Sequence, residues 1–190
     1  MEPKKYMEKT NKNEKMIRKH KAFSLIETLF AVLLITTGIL VTMGLVGTGM
    51  TVSLDARNQL VAVELAQEGV ELARNIRDNN WESGAESFQY LTAGGNCRVD
   101  KRYAYPTAIV CNGQYRLYLD GNGFYTHNSA GTPTRFYRKL DIGSDTDSRP
   151  VISMVTWDSR GAAAFPNDTA DCDTVHKCAY AEVVLSRWGE

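Results

Sequence analysis

The chain has 190 residues, 22 of them Lys or Arg and 22 Asp or Glu. The balance hides a split: residues 1–22 hold eight Lys or Arg against three Glu, a net of +5, and the other 168 hold 14 against 19, a net of −5. A net negative charge on residues 23–190 argues against a general nucleic-acid-binding surface there, and the length suits one domain plus an anchor.

Residues 1–22 are polar, Lys-rich and without apolar periodicity, which reads as a basic leader outside the fold. Residues 23–50 read as a transmembrane helix. From Thr28 to Gly47 there are 20 positions without a charge, enough at about 1.5 Å per residue to cross a hydrocarbon core. Basic residues beside a span stay in the cytoplasm, so the N-terminus is expected inside and the rest of the chain outside. One carboxylate, Glu27, stands at the start of the apolar run. A charge there is costly without a partner, which makes it a functional candidate. Gly38, Gly44, Gly47 and Gly49 weaken helical propensity toward the distal end.

Residues 51–80 read as an amphipathic continuation. Leu54, Val61, Leu65, Leu72 and Ile76 fall on one helical face, flanked by Ala62, Ala66 and Ala73. Arg57, Glu64, Gln67, Glu68, Glu71, Arg74 and Asp78 take the other side, where Glu71–Arg74 and Arg74–Asp78 have pairing distance. No Pro interrupts residues 23–80, so one helix of roughly 55 residues is expected, about 80 Å long. Asp78-Asn79-Asn80, followed by Ser83-Gly84, supplies its stop.

Residues 81–190 read as a β-rich domain outside the membrane. Strands are expected at Tyr115–Leu119, Phe124–His127, Thr134–Ile142, Val151–Trp157 and Tyr180–Trp188, with turns at Asp120–Gly123 and Gly143–Pro150. One long helix against several antiparallel strands gives an α+β class, the helix face from Leu54 to Ile76 packing on the sheet. Trp81, Trp157 and Trp188 are expected where helix and sheet meet.

Four cysteines, Cys97, Cys111, Cys172 and Cys178, all follow the span. An exported location permits disulfides, and loop closure favours the local pairs Cys97–Cys111 and Cys172–Cys178. His176 and two aspartates beside Cys172 and Cys178 offer Zn²⁺ donors, but at a spacing of no common finger, so a disulfide-closed loop is expected there. Asp141, Asp145 and Asp147 lack EF-hand spacing and read as a solvated turn. No phosphate loop or Walker motif is present, and three histidines support no catalytic constellation.

Lys21-Ala22-Phe23-Ser24-Leu25-Ile26-Glu27, followed by the apolar run, resembles the class III signal of type IV prepilins and pseudopilins. The stretch Ser24 to Ile35 is most similar to PilV-like minor pilins and to I-type pseudopilins of type II secretion. Glu64 to Trp81 resembles the helix end of PilV-like prepilins, and Phe136 to Leu140, Val155 to Trp157 and the last strand more weakly resemble their sheet. The resemblance implies a pilin-like fold, the helix packed on an antiparallel sheet. It implies cleavage between Ala22 and Phe23, N-methylation of Phe23, and a role in assembly for Glu27, the fifth mature residue. The family usually has Gly where this chain has Ala22. The implied partners are other pilin or pseudopilin subunits, a prepilin peptidase and methyltransferase, an assembly ATPase, a platform protein and the membrane. The implied protein catalyses nothing, needs no cofactor or metal, and passes from the cytoplasmic membrane to a cell-surface filament or pseudopilus. Two expectations compete: a signal-anchored extracytoplasmic enzyme or binding domain, in which Glu27 has no role, and a secreted protein cut by ordinary signal peptidase near Gly47 to Thr51.

Overall fold

The computed structural model describes residues 24–100, 109–111 and 113–187. The fold is α+β: one N-terminal helix, α1 (Leu25–Glu82), and a six-stranded antiparallel sheet. The strands are β1 (Gly94–Cys97), β2 (Arg116–Leu119), β3 (Tyr125–Thr126), β4 (Thr132–Ile142), β5 (Ser148–Thr156) and β6 (Cys178–Ser186). The chain divides into two units, one through Thr48 and one from Gly49 onward.

The described part of the first unit is helical from Leu25. Its apolar side chains have no cover: Leu25, Ile26, Leu29, Phe30, Leu33, Leu34 and Ile35 are all more than half exposed. Five threonines sit in this segment without breaking it, and the Thr28 hydroxyl donates to Leu25 O at 2.8 Å. The hydroxyls of Thr36, Thr37, Thr42 and Thr48 each donate to carbonyls three and four residues back, at 2.9–3.2 Å. Each polar hydrogen is thus satisfied within the helix, the condition for placing a hydroxyl in hydrocarbon.

In the second unit the helix from Gly49 packs its buried face on the sheet. The buried positions are Ala62, Leu65, Ala66, Gly69, Val70, Ala73, Ile76, Arg77 and Asn80. This face is rotated from the Leu stripe read in the sequence. Leu54 is 58 % exposed, Val61 and Leu72 are half-buried, and Ala62, Ala66 and Ala73 are wholly buried at the centre. The small residues take the centre because they let the helix approach the sheet closely. At Gly69 a Cβ would lie 2.3 Å from Ser153 Oγ, so no other residue fits without displacement.

Two apolar clusters result. One joins Ala62, Leu65 and Ala66 to Leu117, Phe136, Val155, Trp157 and Ala179. The other joins Ala73 and Ile76 to Phe88, Leu91, Val99, Ile109, Leu140, Ile142, Val151 and Leu185. Strand alternation supplies the sheet's part, with Phe136, Leu140 and Ile142 of β4 and Val151 and Val155 of β5 facing inward.

α1 ends in a Schellman motif: Gly84 N–H donates to Trp81 O at 3.1 Å, and Ala85 N–H donates to Asn80 O at 2.8 Å. Gly84 has φ +70, which favours glycine there. Asn80 is buried and holds the following loop, its Nδ2 donating to the carbonyls of Ser87 and Gln89. Trp81, expected in the core, is 58 % exposed: it stands one residue, about 100°, around the helix from the buried Asn80. Trp157 is buried as expected, and Trp188 lies outside the described residues.

The sheet runs β3-β2-β4-β5-β6, with β1 also paired to β4. Five of its strands coincide with the expected segments to within a few residues. β1 is additional: its sequence, Gly-Gly-Asn-Cys, carries no strand signal, and Asn96 has φ +65. It is held tertiarily, by the Cys97–Cys111 disulfide and by Asn96 N–H donating to Asp141 Oδ1 at 2.9 Å. The 3-10 turn Gly161–Ala164 and Phe165 cover part of the sheet's outer face, Phe165 packing edge-on to Tyr115 at 5.5 Å.

Candidate functional site

Two places in the chain concentrate features that a plain core does not need: the start of α1, and a buried charged cluster between helix and sheet. Ala22 and Phe23 lie outside the described residues. Glu27 is in the first turn of α1 and exposed, its N–H donating to Ser24 O at 3.0 Å. A carboxylate in a first turn is favoured by the helix dipole, which offsets part of its cost beside apolar neighbours. The 18-residue apolar stretch beyond it has no buried position, and α1 is long and apolar enough to cross a membrane. Beside Gly38, Gly44, Gly47 and Gly49, nothing lies within 4 Å of where a Cβ would sit. These glycines therefore leave shallow, uncovered notches along the helix.

The second place centres on Arg138 of β4, fully buried on the inward face. Its Nη1 donates to Leu65 O at 3.2 Å and to Glu68 Oε2 at 3.1 Å, and its Nη2 donates to Val99 O at 2.9 Å. Glu68 is about one-third exposed, so the pair is dry at one end and wet at the other. Burial pushes the guanidinium down from its usual range, while the charges of Glu68 and Asp100 oppose that.

Asp100 continues the network. One of its oxygens accepts the His127 backbone N–H at 2.8 Å and faces His127 Nδ1 at 2.7 Å. The His127 side chain is buried, with Nε2 3.4 Å from Arg138 O. Burial raises the Asp100 carboxyl, but hydrogen bonds and charge from His127, with Arg138 beyond, outweigh it and hold the group below the ordinary carboxylate range.

Helix, post-β1 loop, post-β3 loop and β4 each give this cluster one charged or titratable side chain. In the sequence Glu68 was read as a surface residue and His127 as the end of a short strand, with no partner assigned to either. An Arg at an inward position of an alternating strand, next to Phe136 and Leu140, was the available signal.

The cysteines pair as Cys97–Cys111 and Cys172–Cys178. In the second loop His176 Nδ1 lies 2.7 Å from Asp173 Oδ1, both side chains half exposed. Asp145 Oδ1 accepts the Asp147 N–H and its Oδ2 accepts from the Ser148 hydroxyl, so this carboxylate organises its own turn. Asp141 holds Asn96 and lies 3.5 Å from Lys139. Among the described residues no three His, Cys, Asp or Glu side chains converge as a metal site.

No family model, curated protein or solved structure matches this chain. Fold and helix together define a class: an α+β domain with two disulfides, carried on a helix long and apolar enough to span a membrane.

Proposed function

We propose that the protein is a type IV pilin-like filament subunit, a minor pilin or pseudopilin, that works mechanically and catalyses nothing. In this reading a prepilin peptidase cuts between Ala22 and Phe23 on the cytoplasmic face and Phe23 is N-methylated. The subunit waits in the membrane with its N-terminus inside, then enters a filament through α1.

One observation carries the reading. A single helix holds an uncharged, fully uncovered apolar half with one carboxylate in its first turn, and a second half packed on an antiparallel sheet. A plain membrane anchor needs the first half but gives no role to Glu27. In a staggered filament, the N-terminal amine of an incoming subunit meets a neighbour's Glu27. Two charges, each costly in lipid, then pair and favour one axial register.

The test compares cleaved membrane-bound subunit with subunit in sheared filaments, after intact-mass analysis of the mature chain. Glu27→Ala and Glu27→Gln are expected to insert and be cleaved normally yet enter filaments poorly, with Glu27→Asp in between. A mature chain that begins at Met1, or near Thr48, refutes the proposal and leaves an anchored or secreted domain in its place, whereas Glu27→Ala entering filaments like the parent refutes the pairing role of Glu27.

A further inference from the structure

The two edges of the sheet are finished differently. β3 ends one side with two residues, whereas β6 ends the other with nine, in unbroken register with β5 from Ser148↔Ser186 to Thr156↔Cys178. Long edges are usually blunted by Pro, charged side chains or a bulge; β6 has no Pro and no bulge, and its one charge is Glu182.

Bonds at the two ends of the strand show which way its backbone faces. Trp157 N–H donates to Lys177 O at 3.1 Å, and Arg187 N–H donates to Asp147 O at 3.0 Å. In an antiparallel ladder a residue turns both backbone groups to the same side, and sides alternate. Ala179, Ala181, Val183 and Leu185 therefore face β5, and Cys178, Tyr180, Glu182, Val184 and Ser186 face outward from the sheet edge. The ends of that outward row are taken. Cys178 N–H donates to Asp173 O at 2.9 Å, and Ser186 O accepts from Arg77 Nη1 at 3.5 Å. Between them the N–H and C=O of Tyr180, Glu182 and Val184 bond to no described residue. The same three side chains stand exposed on the sheet's outer face, Tyr180 at 41 % and Val184 at 64 %, with Glu182 between them.

We propose that β6 accepts an extended segment of a partner protein as a seventh strand, with Lys or Arg opposite Glu182 and apolar residues opposite Tyr180 and Val184. Six free backbone groups supply the ladder, and the alternating outer row supplies the selectivity. A second copy of this chain fits worse. A two-fold axis through Glu182 sets that carboxylate against itself. A slip of two residues one way sets Tyr180 against Ser186, whose carbonyl Arg77 already holds. A slip the other way sets Val184 against Cys178, whose N–H Asp173 already holds. The inference goes beyond the filament reading and stands on the sheet alone.

The experiment uses the full chain in detergent micelles and two probes, acetyl-Ser-Val-Thr-Lys-Thr-Val-Ser-amide and the same peptide with Glu in place of Lys. The Lys peptide is expected to shift the backbone amides of Tyr180, Glu182 and Val184 and slow their exchange in proportion to occupancy, leaving Ala181 and Val183 unchanged. It should bind about fivefold more tightly than the Glu peptide, and Glu182→Lys should reverse that preference. Val184→Pro removes a donor that faces the partner and none that faces β5, so it should weaken binding about tenfold while the β5–β6 amides stay protected. Failure of both peptides to reach these amides overturns the proposal, as does a preference unmoved by Glu182→Lys. Protection of the three amides that grows with protein concentration and no peptide assigns the edge to a second copy and equally overturns it.

Discussion

Removing Glu68 tests the buried cluster directly. Arg138 is wholly buried, and among the described residues Glu68 is its one carboxylate partner within hydrogen-bond distance, at 3.1 Å. A charge-assisted hydrogen bond lost from a buried cation costs about 1.5–3 kcal/mol, and breaking a fully buried pair costs about 3–5. Because Glu68 is about one-third exposed, water screens part of the attraction, and the lower range applies. Glu68→Ala is therefore expected to destabilise the domain by about 2 kcal/mol, a fall in Tm of roughly 7 °C for a unit of this size. In an Arg138→Met background the same change should cost under about 0.5 kcal/mol, since the remaining carboxylate hydrates freely at its exposed end. The assay is urea unfolding of the four variants of the cycle in micelles, followed by near-ultraviolet circular dichroism. Equal costs of Glu68→Ala in both backgrounds would refute the coupling and reduce the contact to a surface ion pair.

Gly69→Ala is expected to cost about 1–3 kcal/mol, because the new methyl meets Ser153 Oγ at 2.3 Å, and Ser153→Gly in the same chain should restore most of the loss in thermal unfolding. The lowered carboxyl of Asp100 stabilises the fold fully above the unfolded carboxylate value of about 4 and loses that contribution as pH falls through the lower folded value. Acid titration of stability should accordingly be less steep below about pH 4 for Asp100→Asn than for the parent, and identical slopes would remove Asp100 from the network. Opening Cys97–Cys111, which closes 14 residues and holds β1, should cost about 3 kcal/mol in chemical denaturation, and opening Cys172–Cys178, which closes six, about 2.

Local pattern carried much of the fold. A run of 20 uncharged residues, a strand alternating from Thr134 to Ile142, and a turn of Asp120-Gly121-Asn122-Gly123 are each written within a few neighbours, so spacing alone reveals them. The helix stop was legible too, since Gly84 is where a left-handed residue ends the helix. Loop length favoured the two local disulfide pairs that the structure contains. Glu27 drew attention because it is the carboxylate at the head of the apolar run.

Tertiary structure decided what depends on distant partners. Ala62, Ala66, Gly69 and Ala73 take the centre of the packed face, beside Leu65 and Ile76 of the expected stripe, because closeness of approach is set by what lies across the interface. Their side chains are too small to announce it by hydropathy. Arg138 reads in isolation as an error in an alternating strand. Only the fold supplies Glu68 from 70 residues earlier, the Val99 carbonyl, and Asp100 with its own His127. β1 exists because a disulfide and Asp141 hold a sequence with no strand preference. The open edge at Tyr180, Glu182 and Val184 is likewise a property of sheet order. Sequence makes β6 a strand, but only assembly of the sheet leaves it with one neighbour. The division follows from range: helix, turn and strand energies sum over adjacent residues, whereas burial, pairing and edge exposure are fixed by groups far apart in the chain.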